Sequence, residues 1–163
     1  MKARSSPFRP TKEAHLTPLD YAYRLLARRA QSAHGLAEKM LTKGFTEGAV
    51  SRAVARLKEQ GYLNDAQLAE DQAERLRKRG FGSERIRNTL TQQGIDAISV
   101  EKVLAPKEQT DELTDARRFL ASRYSADALK EPKVYARAFR LLSRRGYAQD
   151  VVESVLGSAP SDD

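Results

Sequence analysis

The chain has no cysteine and no tryptophan, and only two histidines and two methionines among its 163 residues. The lack of cysteine excludes disulfides and thiolate metal sites, as suits a reducing compartment. His15 and His34 stand apart, one in a basic N-terminal stretch and one at a helix start, with no carboxylate cluster around either, so neither a metal centre nor a catalytic constellation is expected. Aromatic residues make up 7% of the chain and the mean hydropathy is -0.64, too little apolar material for one thick core. Small helical modules, each burying a thin stripe, suit that composition better. No apolar run approaches the roughly 20 residues of a membrane span, and Met1 to Thr17 has no apolar signal-like stretch, so the expected location is the cytoplasm. Strand-like alternation of useful length is also missing.

What the chain has in excess is positive charge. Its 29 Lys and Arg residues exceed 22 Asp and Glu residues, for a net charge of +7 and an isoelectric point near 9.8. That balance favours an acidic partner such as nucleic acid or an acidic protein surface, although a soluble helical protein that is merely basic has the same composition.

The most informative pattern occurs three times. Gly44, Gly94 and Gly146 are each followed by a bulky residue, Phe45, Ile95 and Tyr147. Met40, Leu90 and Leu142 precede these glycines at one shared offset, and Leu36, Ile86 and Ala138 at a second. Val50, Val100 and Val152 follow at a third offset, then Ala53, Val103 and Val155, with Val54, Leu104 and Leu156 beside them. These offsets form one apolar stripe on each side of a turn, at helical spacing. Each repeat therefore ends in a helix-turn-helix pair, and a third helix precedes it.

The expected fold is all-α, an elongated array of three tandem three-helix repeats. Residues 1–16 read as a flexible basic arm, 17–63 as the first repeat, 64–107 as the second, 108–157 as the third and 158–163 as a disordered tail. Thr17-Pro18-Leu19-Asp20 announces the first helix, which runs to about Arg29. Ser32, Thr46, Asp65 and Asp96 are expected N-caps, and Ser83 starts a helix that a turn precedes. Pro106 should end the sixth helix. In the third repeat a helix over 111–124 precedes a longer connection over 125–131, and Pro132 opens the next helix.

Leu36-Ala37-Glu38-Lys39-Met40 leading to Lys43-Gly44-Phe45, then Leu57 and Gly61-Tyr62-Leu63-Asn64-Asp65, then Arg79-Gly80-Phe81-Gly82 with Ile86, Leu90 and Gly94-Ile95, resemble the RecX family of recombination regulators. The match runs from about Asp20 to Leu156 and is strongest from Leu36 to Leu104. Gly35 departs from it, standing where an acidic residue is expected, and the basic arm before Pro18 is an addition. The resemblance implies tandem three-helix units without enzymatic activity or cofactor. It also implies binding to the RecA recombinase, preferentially as its filament on single-stranded DNA, and the chain is expected to act as a monomer. Such proteins lie along the helical groove of the filament and negatively modulate RecA ATPase, recombinase and coprotease activities in DNA repair and the SOS response.

The binding candidates are basic residues. Arg75, Arg77, Lys78 and Arg79 crowd one helix end, and Arg85 and Arg87 flank the next helix start, so the six should converge on the turn from Gly80 to Ser83. Ordinary helix chemistry accounts for part of this, through dipole complementarity and the spacings Glu74 to Lys78 and Asp71 to Arg75. In the first repeat Arg24 and Arg28 share an outward side with Tyr21, and in the third Arg137, Arg140 and Arg144 share one with each other, with Arg145 beside Gly146. Guanidinium forks suit carboxylate or phosphate, while a solvated helix face explains the same residues. Gly80-Phe81-Gly82-Ser83 superficially matches a phosphate-cradling loop, but no strand precedes it and no Gly-Lys-Ser/Thr completes it, so a turn before a helix is the better reading. Phe45, Tyr62, Phe81 and Tyr147 are expected to wedge between helices.

The alternative class is a helix-turn-helix DNA-binding protein, a transcriptional regulator or nucleoid protein. Its motif would span Ser32 to Leu57, and its recognition helix would offer Ser51, Arg52, Arg56 and Lys58. That helix is only modestly basic. Weak, non-specific DNA binding is compatible with either class.

Overall fold

Cap chemistry sets most of the helix starts. The computed structural model describes residues 16–105 and 111–158, which contain nine α-helices and no strand. In α1 (Pro18–Arg28) the Thr17 hydroxyl accepts the Asp20 N–H at 3.1 Å, and the Asp20 carboxylate accepts the Thr17 N–H in return at 3.3 Å. Ser32 caps α2 (Ala33–Lys43), Thr46 caps α3 (Glu47–Glu59) and Asp96 caps α6 (Ala97–Leu104). The remaining helices are α4 (Asp65–Lys78), α5 (Ser83–Gln92), α7 (Glu112–Ala121), α8 (Pro132–Arg145) and α9 (Gln149–Leu156). The N-terminal arm to His15, Pro106 and the last residues of the tail lie outside the described residues.

Two local expectations need correction. The N-cap of α4 is Asn64, whose side chain accepts the Gln67 N–H at 3.0 Å, and Asp65 is the first helical residue. Helix α7 stops at Ala121, where the Arg123 N–H tightens onto the Leu120 carbonyl at 2.9 Å instead of continuing the helix to residue 124. Within the connection that follows, Ala128–Lys130 forms a short 3-10 turn.

Each helix triplet closes over its own apolar cluster. Leu36, Met40, Val50, Ala53 and Leu57 are buried in the first, Ile86, Leu90, Val100 and Val103 in the second, and Ala138, Leu142 and Val152 in the third. The repeating offsets around the turn glycines thus mark the buried stripe, although Val54, Leu104, Val155 and Leu156 at its edge are only half-buried. Burying one such side chain stabilises by roughly 1.5–3 kcal/mol, so thin stripes suffice when they repeat. The opening helices add a repeated alanine: Ala22, Ala69 and Ala116 occupy the fifth position of α1, α4 and α7, and all three are fully buried. A larger side chain there would push the opening helix off its partners.

The triplets connect through a joint that is built twice. Where the first meets the second, the N-terminus of α2 abuts the C-terminal turn of α5. The Ser32 hydroxyl donates to the Gln93 carbonyl, and the Ala33 N–H donates to the Asp65 carboxylate at 2.9 Å. Where the second meets the third, the N-terminus of α5 abuts the C-terminal turn of α8. Here the Gly82 N–H donates to the Arg145 carbonyl at 3.0 Å, and the Ser83 N–H donates to the Glu112 carboxylate at 2.8 Å. Asp65 and Glu112 are both the first residue of an opening helix, and each satisfies the first amide of a middle helix in the preceding triplet. The middle helices therefore meet positive end to negative end, an arrangement the helix dipole favours.

Close approach at the second joint depends on glycine. Gly146 has φ +78°, a left-handed conformation that ends α8, and a Cβ on it would lie 2.5 Å from the Arg85 nitrogen. Gly82 has ordinary φ, but a Cβ there would stand 2.4 Å from the Gly146 oxygen and from the backbone of Tyr147.

Candidate binding surface

Six cations do not converge freely on the Gly80 to Ser83 turn. Arg77 turns inward and donates to the Val103 carbonyl at 2.8 Å, tying α4 to the end of α6. Arg87 forks onto Glu101 at 3.0 and 3.4 Å and onto Glu84 at 2.7 Å. The hydrogen bond to Glu101 raises the Arg87 pKa further, and the same bond holds the Glu101 carboxyl below its usual range. Lys78 pairs with Glu74 at 2.6 Å, as the spacing predicts, while Asp71 accepts from the Gln67 amide at 2.8 Å and forms no pair with Arg75 among the described residues. Arg75 instead faces a cleft between the first and second triplets. Only Arg79 and Arg85 remain exposed at the turn itself without a carboxylate partner among the described residues.

The amides of this turn are also occupied. Gly82, Ser83 and Glu84 donate to Arg145, Glu112 and Gly146 of the third triplet, so no free N–H cradle is left for a phosphate. The turn builds a joint. Arg145 is part of it: its guanidinium lies 4.7 Å from the Phe81 ring and 4.9 Å from the Phe119 ring and donates to the Arg79 carbonyl at 2.9 Å. Arg79 also lies over the Phe81 ring at 5.3 Å, and Arg123 lies 4.0 Å from the Phe119 ring. Of these contacts only that of Arg145 with Phe81 crosses between repeats, and sequence spacing could not separate this stacked arginine from an exposed one, because its ring partner comes from the preceding repeat.

The remaining arginines stay on the surface. Arg24 and Arg28 line a cleft of about 210 Å³ with Leu16, Tyr21, Leu25 and Lys43. Arg137, Arg140 and Arg144 are exposed along one side of α8 and have no ion pair among the described residues. Arg52 and Arg56 on α3 border a groove of about 660 Å³ against Pro18 and Leu19 of α1.

The aromatic residues after the turn glycines serve mainly in packing. Tyr147 is buried, Phe45 packs on Tyr21 with ring centroids 5.6 Å apart, and Phe81 sits in the arginine stack. Tyr62 is the exception: it touches Tyr23 edge-on at 5.1 Å yet stays 60% exposed.

Tandem three-helix repeats, joined end to end and carrying exposed arginines outside their joints, define an all-helical repeat protein. The model of the first three-helix domain of RecX matches residues 19–57. The chain is 33% identical to the regulatory protein RecX of Halorhodospira halophila, over 88% of this chain and 89% of that protein. It is 32% identical to that of Deinococcus radiodurans, over 93% of this chain and 73% of that protein. The chain belongs to the RecX family of regulatory proteins. Its fold agrees with the crystal structure of RecX from Lactobacillus salivarius, with a TM-score of 0.71 at 17% identity, covering 85% of this chain and 92% of that one. These relatives are named as regulators, not as enzymes.

Proposed function

We propose that this protein binds the RecA filament on single-stranded DNA along its helical groove, as a monomer in the cytoplasm. There it lowers RecA ATPase, recombinase and coprotease activities during DNA repair and the SOS response. The observation that carries the reading is the twice-built joint in a chain of RecX type. It holds three similar units at successive positions, as a ligand that meets successive protomers of a helical partner requires. Arg24 and Arg28 of the first unit and Arg137, Arg140 and Arg144 of the third supply exposed forks at the two ends, and Arg79 and Arg85 supply them between. The protein acts by occupying a surface and needs no cofactor.

Titrating the full chain into RecA, single-stranded DNA and ATP tests this directly: ATP hydrolysis falls as the protein is added. Unchanged hydrolysis at saturating protein contradicts the proposal. The duplex-reading alternative makes a different demand, namely a nanomolar, sequence-dependent complex with a short duplex. On the proposal, bare DNA is bound weakly and without sequence preference, at about 10⁻⁴ to 10⁻⁶ M near physiological salt.

A further inference from the structure

The two joints are alike in backbone, yet one is filled and the other is open. At the second joint Phe81, Phe119 and Arg145 stack together. The corresponding residues at the first joint are all glutamines. Gln31 and Phe81 each stand just before the N-cap of a middle helix, Ser32 or Gly82, and Gln93 and Arg145 each precede a turn glycine. Gln72 and Phe119 each stand seven residues after the start of an opening helix, Asp65 or Glu112. The first joint consequently keeps a cleft of about 670 Å³, lined by Gln31, Gln72 and Gln93. The fold does not require this opening, because the same chain closes it one repeat later.

Three cations from different elements line the open cleft: Arg29 after α1, Lys39 of α2 and Arg75 of α4. None pairs with a carboxylate among the described residues, and the Lys39 ammonium donates only to the neutral Gln31 amide oxygen. Burial, and then the charge of Arg29, lower the Lys39 pKa. Two carboxylates also line the cleft, Glu38, which lies 3.5 Å from His34, and Asp71, which accepts from the Gln67 amide at 2.8 Å, so the cations outnumber the carboxylates. Gly35 adds no side chain to the wall.

We propose that this cleft between the first and second repeats is a phosphate-binding site. A phosphate carries acceptor oxygens on all sides and accommodates donors arriving from three directions, and two guanidinium forks suit it well. The volume exceeds that of a single phosphate and fits a diphosphate or a short stretch of phosphodiester backbone. Both sources offer the same chemistry, and the site does not depend on any action on RecA.

Isothermal titration of pyrophosphate into the full-length protein, without RecA, tests the proposal. Pyrophosphate binds at one site. K39Q and R75Q each weaken that binding by at least about tenfold, the loss expected when a charge-assisted hydrogen bond is removed. Lys39→Gln melts no lower than the parent in the absence of anion, since it removes a repelled charge. The double variant Gln31→Phe with Gln72→Phe keeps all three cations but copies the filling of the second joint, and it too loses the site. Adding a short single-stranded oligonucleotide identifies the source: competition with pyrophosphate assigns the site to nucleic-acid backbone, and the lack of competition assigns it to a free phosphate compound. No heat of binding from pyrophosphate, or equal affinity in the parent, charge and filling variants, overturns the proposal.

Discussion

Tyr147 shows how a single residue reports on a joint. Its ring is buried against Phe119, and its hydroxyl is the buried side-chain polar atom without a hydrogen-bond partner among the described residues. Burial, followed by the negative charges of Asp115 and Glu112, pushes its pKa up to about 12. Because the folded form holds its proton to higher pH than the unfolded chain does, this residue leaves stability unchanged below about pH 10 and lowers it as pH rises from there towards 12. Tyr147→Phe is accordingly expected to be neutral or up to about 2 kcal/mol more stable at pH 7, since it removes an unpaired buried hydroxyl. Its advantage over the parent should widen between pH 10 and 12, as thermal melts at both values would show. Gly82 gives the opposite case. Gly82→Ala forces a methyl group against the Gly146 and Tyr147 backbone, which cannot rotate away as a side chain could, and should destabilise by about 3 kcal/mol or more in denaturant unfolding.

At the scale of elements, the helices within a repeat were legible because their signals are local. Caps at Ser32, Thr46 and Asp96, left-handed glycines at Gly44, Gly94 and Gly146, and apolar residues at helical spacing all lie within a turn or two of what they determine. The joints were not legible, since their partners lie far along the chain. Asp65 has the residue type of an N-cap and stands at a helix start, yet its carboxylate serves the Ala33 amide of the previous repeat while Asn64 caps α4. Glu112 carries no cap signature in sequence, and it accepts from both Ser83 at 2.8 Å and Ala148 at 3.4 Å. Asp65→Ala is expected to lose about 1–2 kcal/mol in chemical denaturation, and Glu112→Ala more, because two amides lose their acceptor. Leu76→Asp tests the second core: placing a charge beside Ala73 and Ile86 should cost several kcal/mol, and an unchanged melting temperature would show that this face of α4 is not buried as described.

At the scale of the whole molecule, the arginines divide into those that brace a repeat or a joint and those that face outward. Arg77, Arg87 and Arg145 belong to the first group, so reversing the charge of Arg77, Arg79 and Arg87 together would disturb the second repeat as well as any partner contact. That triple reversal is therefore no clean probe of binding. Reversal of Arg137, Arg140 and Arg144 is the better one, because these side chains make no ion pair among the described residues. It should leave helicity intact in circular dichroism while weakening binding to the RecA filament. If the three repeats engage successive protomers, each supplies a modest local affinity, and connection through the joints turns the later contacts into intramolecular events. A fragment ending near Asp65 would then lose most of the filament affinity even if its own core forms.

The most direct measurement compares the affinity of the intact chain for the ATP-bound RecA filament with its affinity for free RecA, under one set of salt conditions. Groove-spanning binding predicts a preference for the filament of at least about tens of times. Equal affinity for the two forms would contradict it.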